Sequence, residues 1–179
     1  MLTVQAVETD EALFLAAVGG DLSAFERLYA RYERRLFGFL LRLLGDRAEA
    51  EEVFHDVFVS VLQAKHVRFE EARFSAWLFR IARNAASNRH RARSRSEGAL
   101  AKEAAVDAQS ATPLDRLLEE ERAYRLSAAV RKLPQALADV FHLRSSGLSY
   151  EEIAAVLEVP LGTVKSRMNS LTNQLRGEV

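Results

Sequence analysis

Residues Gly147 to Arg167 read GLSYEEIAAVLEVPLGTVKSR, and their punctuation decides the fold at this end of the chain. Ser149-Tyr150-Glu151-Glu152 has the form of a capping box, in which the serine hydroxyl accepts from the third backbone N–H and the glutamate reaches back. Ile153, Ala154 and Leu157 follow as an apolar stripe, and Glu158-Val159-Pro160 breaks the helix. Thr163 can cap a second helix, whose apolar residues Val164, Met168, Leu171 and Leu175 are spaced 4, 3 and 4. Two short helices joined by a tight turn make a helix-turn-helix. The second helix then presents Lys165, Ser166, Arg167, Asn169, Ser170, Thr172 and Asn173 away from the core. Short polar and basic side chains suit a reader of the major groove. A plain helical hairpin with a solvated face is the competing reading.

Helical periodicity extends upstream. Leu126, Val130, Leu133, Val140, Phe141 and Leu143 supply the apolar positions of the same unit, with a helix boundary at Pro134. Leu114, Leu117 and Leu118 begin it. Residues 96–113 are rich in alanine, serine and acids and have no aromatic, which reads as a tether. Before the tether, Thr9 can cap a helix carrying Leu13, Phe14, Ala17 and Val18, stopped at Gly19-Gly20. Asp21 can cap the next, with Phe25, Leu28, Tyr32, Leu36, Phe39, Leu40 and Leu43 inward and Gly45 as its stop. Asp46 with Glu49 opens a third, carrying Ala50, Val53, Phe54, Val57, Phe58, Val61 and Leu62. A loop near residues 65–73 precedes a fourth, marked by Phe74, Trp77, Leu78, Ile81 and Ala85. The expected fold is all-α: two small helical domains, residues 1–95 and 114–179, of about four helices each, joined by the flexible linker 96–113.

The 25 basic and 25 acidic residues cancel, but they are not evenly spread. Residues 80–95 hold six arginines and no acid, whereas 96–122 hold seven acids against three bases. The arginine block is either a phosphate-binding surface or a solvated helix end. At about 100° per residue, Arg80, Arg83, Asn84, Ser87 and Arg91 share roughly a third of their helix, opposite Phe74, Trp77, Ile81 and Ala85. The absence of cysteine excludes disulfides, thiolate zinc sites and a cysteine nucleophile. The histidines, at 55, 66, 90 and 142, lack metal-ligand spacing. No phosphate-loop, dinucleotide or nucleophile-elbow pattern occurs, so neither an enzyme nor a cofactor is expected. No apolar run approaches the roughly 20 residues of a membrane span. The first 21 residues carry four acids and no lysine or arginine, the wrong sign for a secretion signal. A soluble, cytoplasmic protein is expected.

Both halves resemble a bacterial extracytoplasmic-function (ECF) sigma factor, group IV of the sigma-70 family. DLSAFERLYARYERRLFGFLLRLL (Asp21 to Leu44) and AEAEEVFHDVF (Ala48 to Phe58) resemble region 2. FSAWLFRIARNAASNRHRAR (Phe74 to Arg93) is similar to its promoter-melting and −10-reading part, and Gly147 to Arg167 to the region 4 helix-turn-helix. The resemblance implies a factor that binds core RNA polymerase and directs initiation at promoters by reading −35 and −10 elements and opening DNA. It implies polymerase contacts from Glu52, His55 and Asp56, on a helix that docks on the clamp helices of the largest catalytic subunit. It implies −10 contacts from Arg80, Arg83, Asn84, Ser87 and Arg91, with the loop Arg68 to Arg73 where the family captures a flipped base. It implies −35 contacts from Arg144, Thr163, Lys165, Ser166, Arg167, Asn169 and Ser170. An anti-sigma partner follows from the same resemblance.

Departures from the family pattern are specific. His55 replaces a usual glutamine and Asn88 a usual aspartate. Ser170, Leu171 and Thr172 replace a cationic run, which reduces the number of phosphate contacts. The stretch between Arg144 and Gly147 is one residue short of the pattern. Trp77 could stack on an exposed base, but its spacing with Phe74 and Ile81 places it in the core. Two other classes fit parts of the pattern: a DNA-binding regulator that never enters polymerase, and a sigma-like decoy that binds a regulator instead of promoters.

Overall fold

The computed structural model describes residues 8–67, 69, 73–96 and 125–176, with 93–96 as backbone only. Every regular element among them is an α-helix, and the chain divides into two compact units, residues 1–102 and 103–179. Of the expected linker 96–113, Ser96 is helical and the rest, like Leu114, Leu117 and Leu118, lies outside the described residues.

The first unit holds α1 (Asp10–Val18), α2 (Leu22–Leu44), α3 (Arg47–Gln63) and α4 (Phe74–Ser96). Their starts are where the polar punctuation puts them. Thr9, Asp21 and Asp46 cap α1, α2 and α3, each accepting from the backbone N–H three residues on, at 3.2, 3.1 and 3.0 Å. Each such acceptor satisfies one of the donors that a helix leaves open at its first turn. Gly45 ends α2 at φ 70°, a left-handed conformation that glycine adopts without steric cost.

The core follows the expected stripes in α1, α2 and α3 in the main, but Val18, Phe25 and Leu43 are only half-buried, and Leu44 is inside in the place expected of Leu43. Leu13, Phe14, Leu28, Tyr32, Leu36, Phe39, Leu40, Val53, Phe54, Val57, Phe58 and Val61 are buried, whereas Leu62 is 39% exposed. The stripe of α4 is rotated from its expected position. Trp77, Ile81 and Ala85 are only half-buried, while Phe79, Ala82 and Ala86 join Phe74 and Leu78 inside. Large side chains alone locate the wrong centre here, because α4 packs against α1, α2 and α3 and its alanines admit close approach.

The second unit contains helical residues 125–131 (α5), then α6 (Gln135–Ser145), α7 (Tyr150–Leu157) and α8 (Leu161–Leu175). Pro134 and Pro160 sit at the N-cap positions of α6 and α8. Thr163 therefore does not cap α8. It is the third helical residue, because proline's fixed φ suits the entry to a helix and moves the start forward. Ala129, Val130, Leu137, Val140, Leu143, Leu148, Ile153, Val156, Val164 and Leu171 form the core. Val156 takes the inward place expected of Ala154 and Leu157, and Met168 and Leu175 are half-buried.

The capping box of α7 is complete: Glu152 N–H donates to Ser149 Oγ at 3.2 Å, and Ser149 N–H to Glu152 Oε2 at 2.7 Å. Ser149→Ala is expected to destabilise this unit by about 0.5–2 kcal/mol. Urea unfolding followed by far-ultraviolet circular dichroism measures it; an unchanged midpoint refutes a stabilising cap.

Candidate functional site

The acidic face belongs to α3. The inward pattern of Ala50, Val53, Phe54, Val57, Phe58 and Val61 leaves Glu52, His55 and Asp56 exposed together on the other side. An aromatic cluster backs the helix: Tyr29 of α2 lies 5.5 Å from Phe54 and 4.9 Å from Phe58, ring centre to ring centre. Burial raises the Tyr29 phenol above its ordinary pKa, and the charge of Glu33 adds to this. Its neutral form is thus favoured in the folded chain, a contribution that fades only as pH rises beyond the ordinary tyrosine range. The exposed face continues past Asp56 into apolar Val59, 49% exposed, and Leu62.

Glu52 is not an isolated acid. It forms an ion pair with Arg89 of α4, both side chains remaining well exposed. The pair joins one end of the acidic face to the arginine block. No sequence pattern marks it, because its partners lie 37 residues apart.

The arginine block of α4 divides into separate environments. Asn84, Ser87 and Arg91 are exposed, as expected, while Arg80 and Arg83 are half-buried at the edge of the packed face. The strip is thus partly recessed, for the same reason that the apolar stripe is rotated. Arg91 donates from Nη2 to Asn88 Oδ1 at 2.7 Å and from Nε to the Ser87 carbonyl at 3.3 Å. This gives Asn88 a physical role: an amide at that position holds the guanidinium without cancelling its charge, as an aspartate would. Arg35, which sequence reasoning missed, brings a further cation beside α4, 5.6 Å from the Tyr32 ring centre and 5.9 Å from that of Phe79.

Aromatic rings crowd the start of α4. Of the expected base-capturing loop, only Phe69 and Arg73 lie within the described residues. The Phe69 ring meets Phe14 at 5.2 Å, Trp77 at 5.6 Å and Phe74 at 5.9 Å. Trp77 also packs on Phe14 at 5.4 Å, so its ring serves the packed cluster.

On α8, Lys165, Ser166, Asn169 and Ser170 are exposed along one helix, with Thr163 and Arg167 half-buried beside them. Ser166 Oγ donates to the Thr163 carbonyl at 2.9 Å. Leu171 is 4% exposed and part of the core. Only Ser170 and Thr172, of the three residues that replace the family's cationic run, therefore alter the surface. Arg144 is on α6, apart from this helix in sequence. It donates from Nη1 to the Leu148 carbonyl at 2.8 Å and lies 5.6 Å from the Tyr150 ring centre, which ties the end of α6 to the start of α7.

Among the described residues there is no cluster of side chains suited to a metal ion, and no helix long and apolar enough to cross a membrane.

Family comparisons agree with this layout. Sigma-70 region 2 matches residues 28–96, and Sigma-70, region 4 matches residues 124–169. The RNA polymerase sigma-H factor of Pseudomonas aeruginosa is 32% identical over 173 residues, covering 90% of this chain and 89% of that protein. The ECF RNA polymerase sigma-E factor of Haemophilus influenzae is 33% identical over 174 residues, covering 89% of each. The fold resembles that of CnrH, solved in complex with the cytosolic domain of CnrY, with a TM-score of 0.69 at 24% identity over 94% of this chain and 95% of that one. It also resembles the sigma factor RpoE of Bartonella quintana, solved with the anti-sigma factor NepR, with a TM-score of 0.69 at 24% identity over 87% and 96%. With relatives of this kind matched along nearly its whole length and both regions found in order, the chain belongs to the ECF sigma factors of the sigma-70 family.

Proposed function

We propose that this chain binds core RNA polymerase and directs promoter-specific initiation, with no catalytic chemistry of its own. The observation that carries the reading is the pair of chemically opposite surfaces on one small bundle. An acidic face on α3 stands beside an arginine-bearing helix, α4, and a helix-turn-helix follows in the other unit. Glu52, His55 and Asp56 are assigned to the polymerase contact. Arg80, Arg83, Asn84, Ser87 and Arg91 are assigned to the backbone and bases of the opened −10 element. Thr163, Lys165, Ser166, Arg167, Asn169 and Ser170 are assigned to the −35 duplex, and Arg144 to its backbone through the same guanidinium that ties α6 to α7. Residues 1–95 and 114–179 are the working domains, and 96–113 tether them. Work in the cytoplasm and silencing by an anti-sigma factor complete the reading. The capture of a structurally similar factor with an anti-sigma factor supports the latter.

Run-off transcription with reconstituted holoenzyme over genomic promoters tests the function. Promoter-dependent transcripts are expected; none, despite core binding, points to the decoy reading. That alternative draws on Ser170 and Thr172, which leave the exposed side of α8 with fewer cations than the family pattern.

Lys165 is exposed near the start of α8. If it neutralises one phosphate, Lys165→Ala lowers the slope of log affinity against log salt by about one unit without changing which −35 sequence is preferred. A salt titration on −35 duplexes measures both; an unchanged slope removes Lys165 from the interface.

A further inference from the structure

The family match to region 2 begins at residue 28, whereas α1 ends at Val18. Yet α1 holds the start of α4. The Glu11 carboxylate accepts a hydrogen bond from the Phe74 backbone N–H at 2.8 Å, across 63 residues of chain. That N–H belongs to the first turn of α4 and has no partner within its own helix. A carboxylate there also favours the positive end of the helix dipole. Three residues on, Phe14 meets the rings of Phe69, Phe74 and Trp77 at 5.2, 5.6 and 5.4 Å. α1 is itself fixed to α2, since Asp10 accepts from Tyr32 Oη and pairs with Arg31 at 2.6 Å.

We propose that α1 belongs to the promoter-opening apparatus, with Glu11 as a positioning residue that sets where α4 begins and Phe14 as the surface against which Phe69 is seated. This rests on the assignment of α4 to the opened −10 element. The physical argument is one of leverage. Phe69 stands just before α4, and Arg80 two turns into it. A helix start tied at one backbone donor and one ring cluster carries both with it when either tie is cut. Glu11 and Phe14 touch no DNA in this arrangement; they act through Phe74 and Phe69.

The test uses the full-length protein with core polymerase, on a promoter found by run-off. Glu11→Ala is expected to reduce permanganate-detected opening about tenfold, the equivalent of one charge-assisted hydrogen bond. It is also expected to flatten the preference for the matched −10 element over single-base variants, while core affinity and −35 preference hold. Glu11→Gln keeps an oxygen that accepts from Phe74 N–H, and is expected to open within about twofold of the parent. Phe14→Leu keeps the site apolar, with a smaller side chain, but loses the ring edge, and is expected to shift −10 preference in the same direction. A merely structural role would lower all activities together, in step with the folded fraction seen in urea melts, and would leave −10 preference intact. That result, or normal opening by Glu11→Ala, overturns the proposal. Failure of the parent protein to open any promoter overturns instead the assignment of α4 on which the proposal rests.

Discussion

Replacing Arg80, Arg83 and Arg91 together by glutamine is expected to abolish promoter opening while binding to core polymerase is retained. All three lie on α4 on the side away from Phe74 and Leu78, with Arg91 exposed and Arg80 and Arg83 half-buried. Each cation that neutralises a phosphate of a single strand contributes about 0.7 to the slope of log affinity against log salt, so the triple change should lower that slope by about two units. The half-burial of Arg80 and Arg83 makes a folding control necessary, since their stems also cover apolar surface. Replacement of the same three by lysine supplies it: charge and stem remain, and opening should largely return. Permanganate footprinting at the −10 region reads the result. Normal melting by the glutamine variant would show that the cations of α4 serve solubility or another partner.

The second large effect concerns docking. Asp56→Lys is expected to weaken binding to core polymerase at least about tenfold, because a like charge placed against a complementary surface repels it. Asp56 is the better probe of the acidic face than Glu52. Charge reversal at Glu52 would also set a lysine against Arg89 and disturb the contact between α3 and α4. Asp56 is exposed, and the hydrogen bond seen there engages its backbone carbonyl, which accepts from Ser60 Oγ at 2.8 Å. Stability should therefore hold, as surface substitutions usually change it by less than about 0.5 kcal/mol. Fluorescence anisotropy of labelled protein against core polymerase measures the affinity. A value equal to the parent's would remove α3 from the docking surface.

Glu52, His55 and Asp56 are singled out by the family resemblance, and their exposure follows from a local pattern: burying Val53, Phe54, Val57 and Phe58 leaves them no side but the solvent. The same arithmetic was less accurate on α4. It relied on Trp77 and Ile81 as inward markers, yet these are half-buried while Ala82 and Ala86, which sequence patterns weigh lightly, are buried. A small residue can be chosen to let another helix come close, and only the neighbour shows that. At Leu171 the helical period and the structure agree: it belongs to the apolar stripe of α8 and is buried, so only its neighbours Ser170 and Thr172 change the exposed side.

Most helix starts and breaks were decided by the chain itself. Thr9, Asp21, Asp46 and Ser149 satisfy donors three residues away, and Pro134 and Pro160 restrict their own backbone, whatever surrounds them. The order of two family-like blocks was equally a property of the linear text. The tertiary structure alone decided which charges are engaged and what holds the start of α4. Glu52 meets Arg89, Glu11 meets the Phe74 N–H, and Phe14 meets Phe69, all through contacts between residues far apart in the chain. Such pairings leave no periodic trace, because helix periodicity records which side of a helix faces inward and not which residue of another helix stands opposite it.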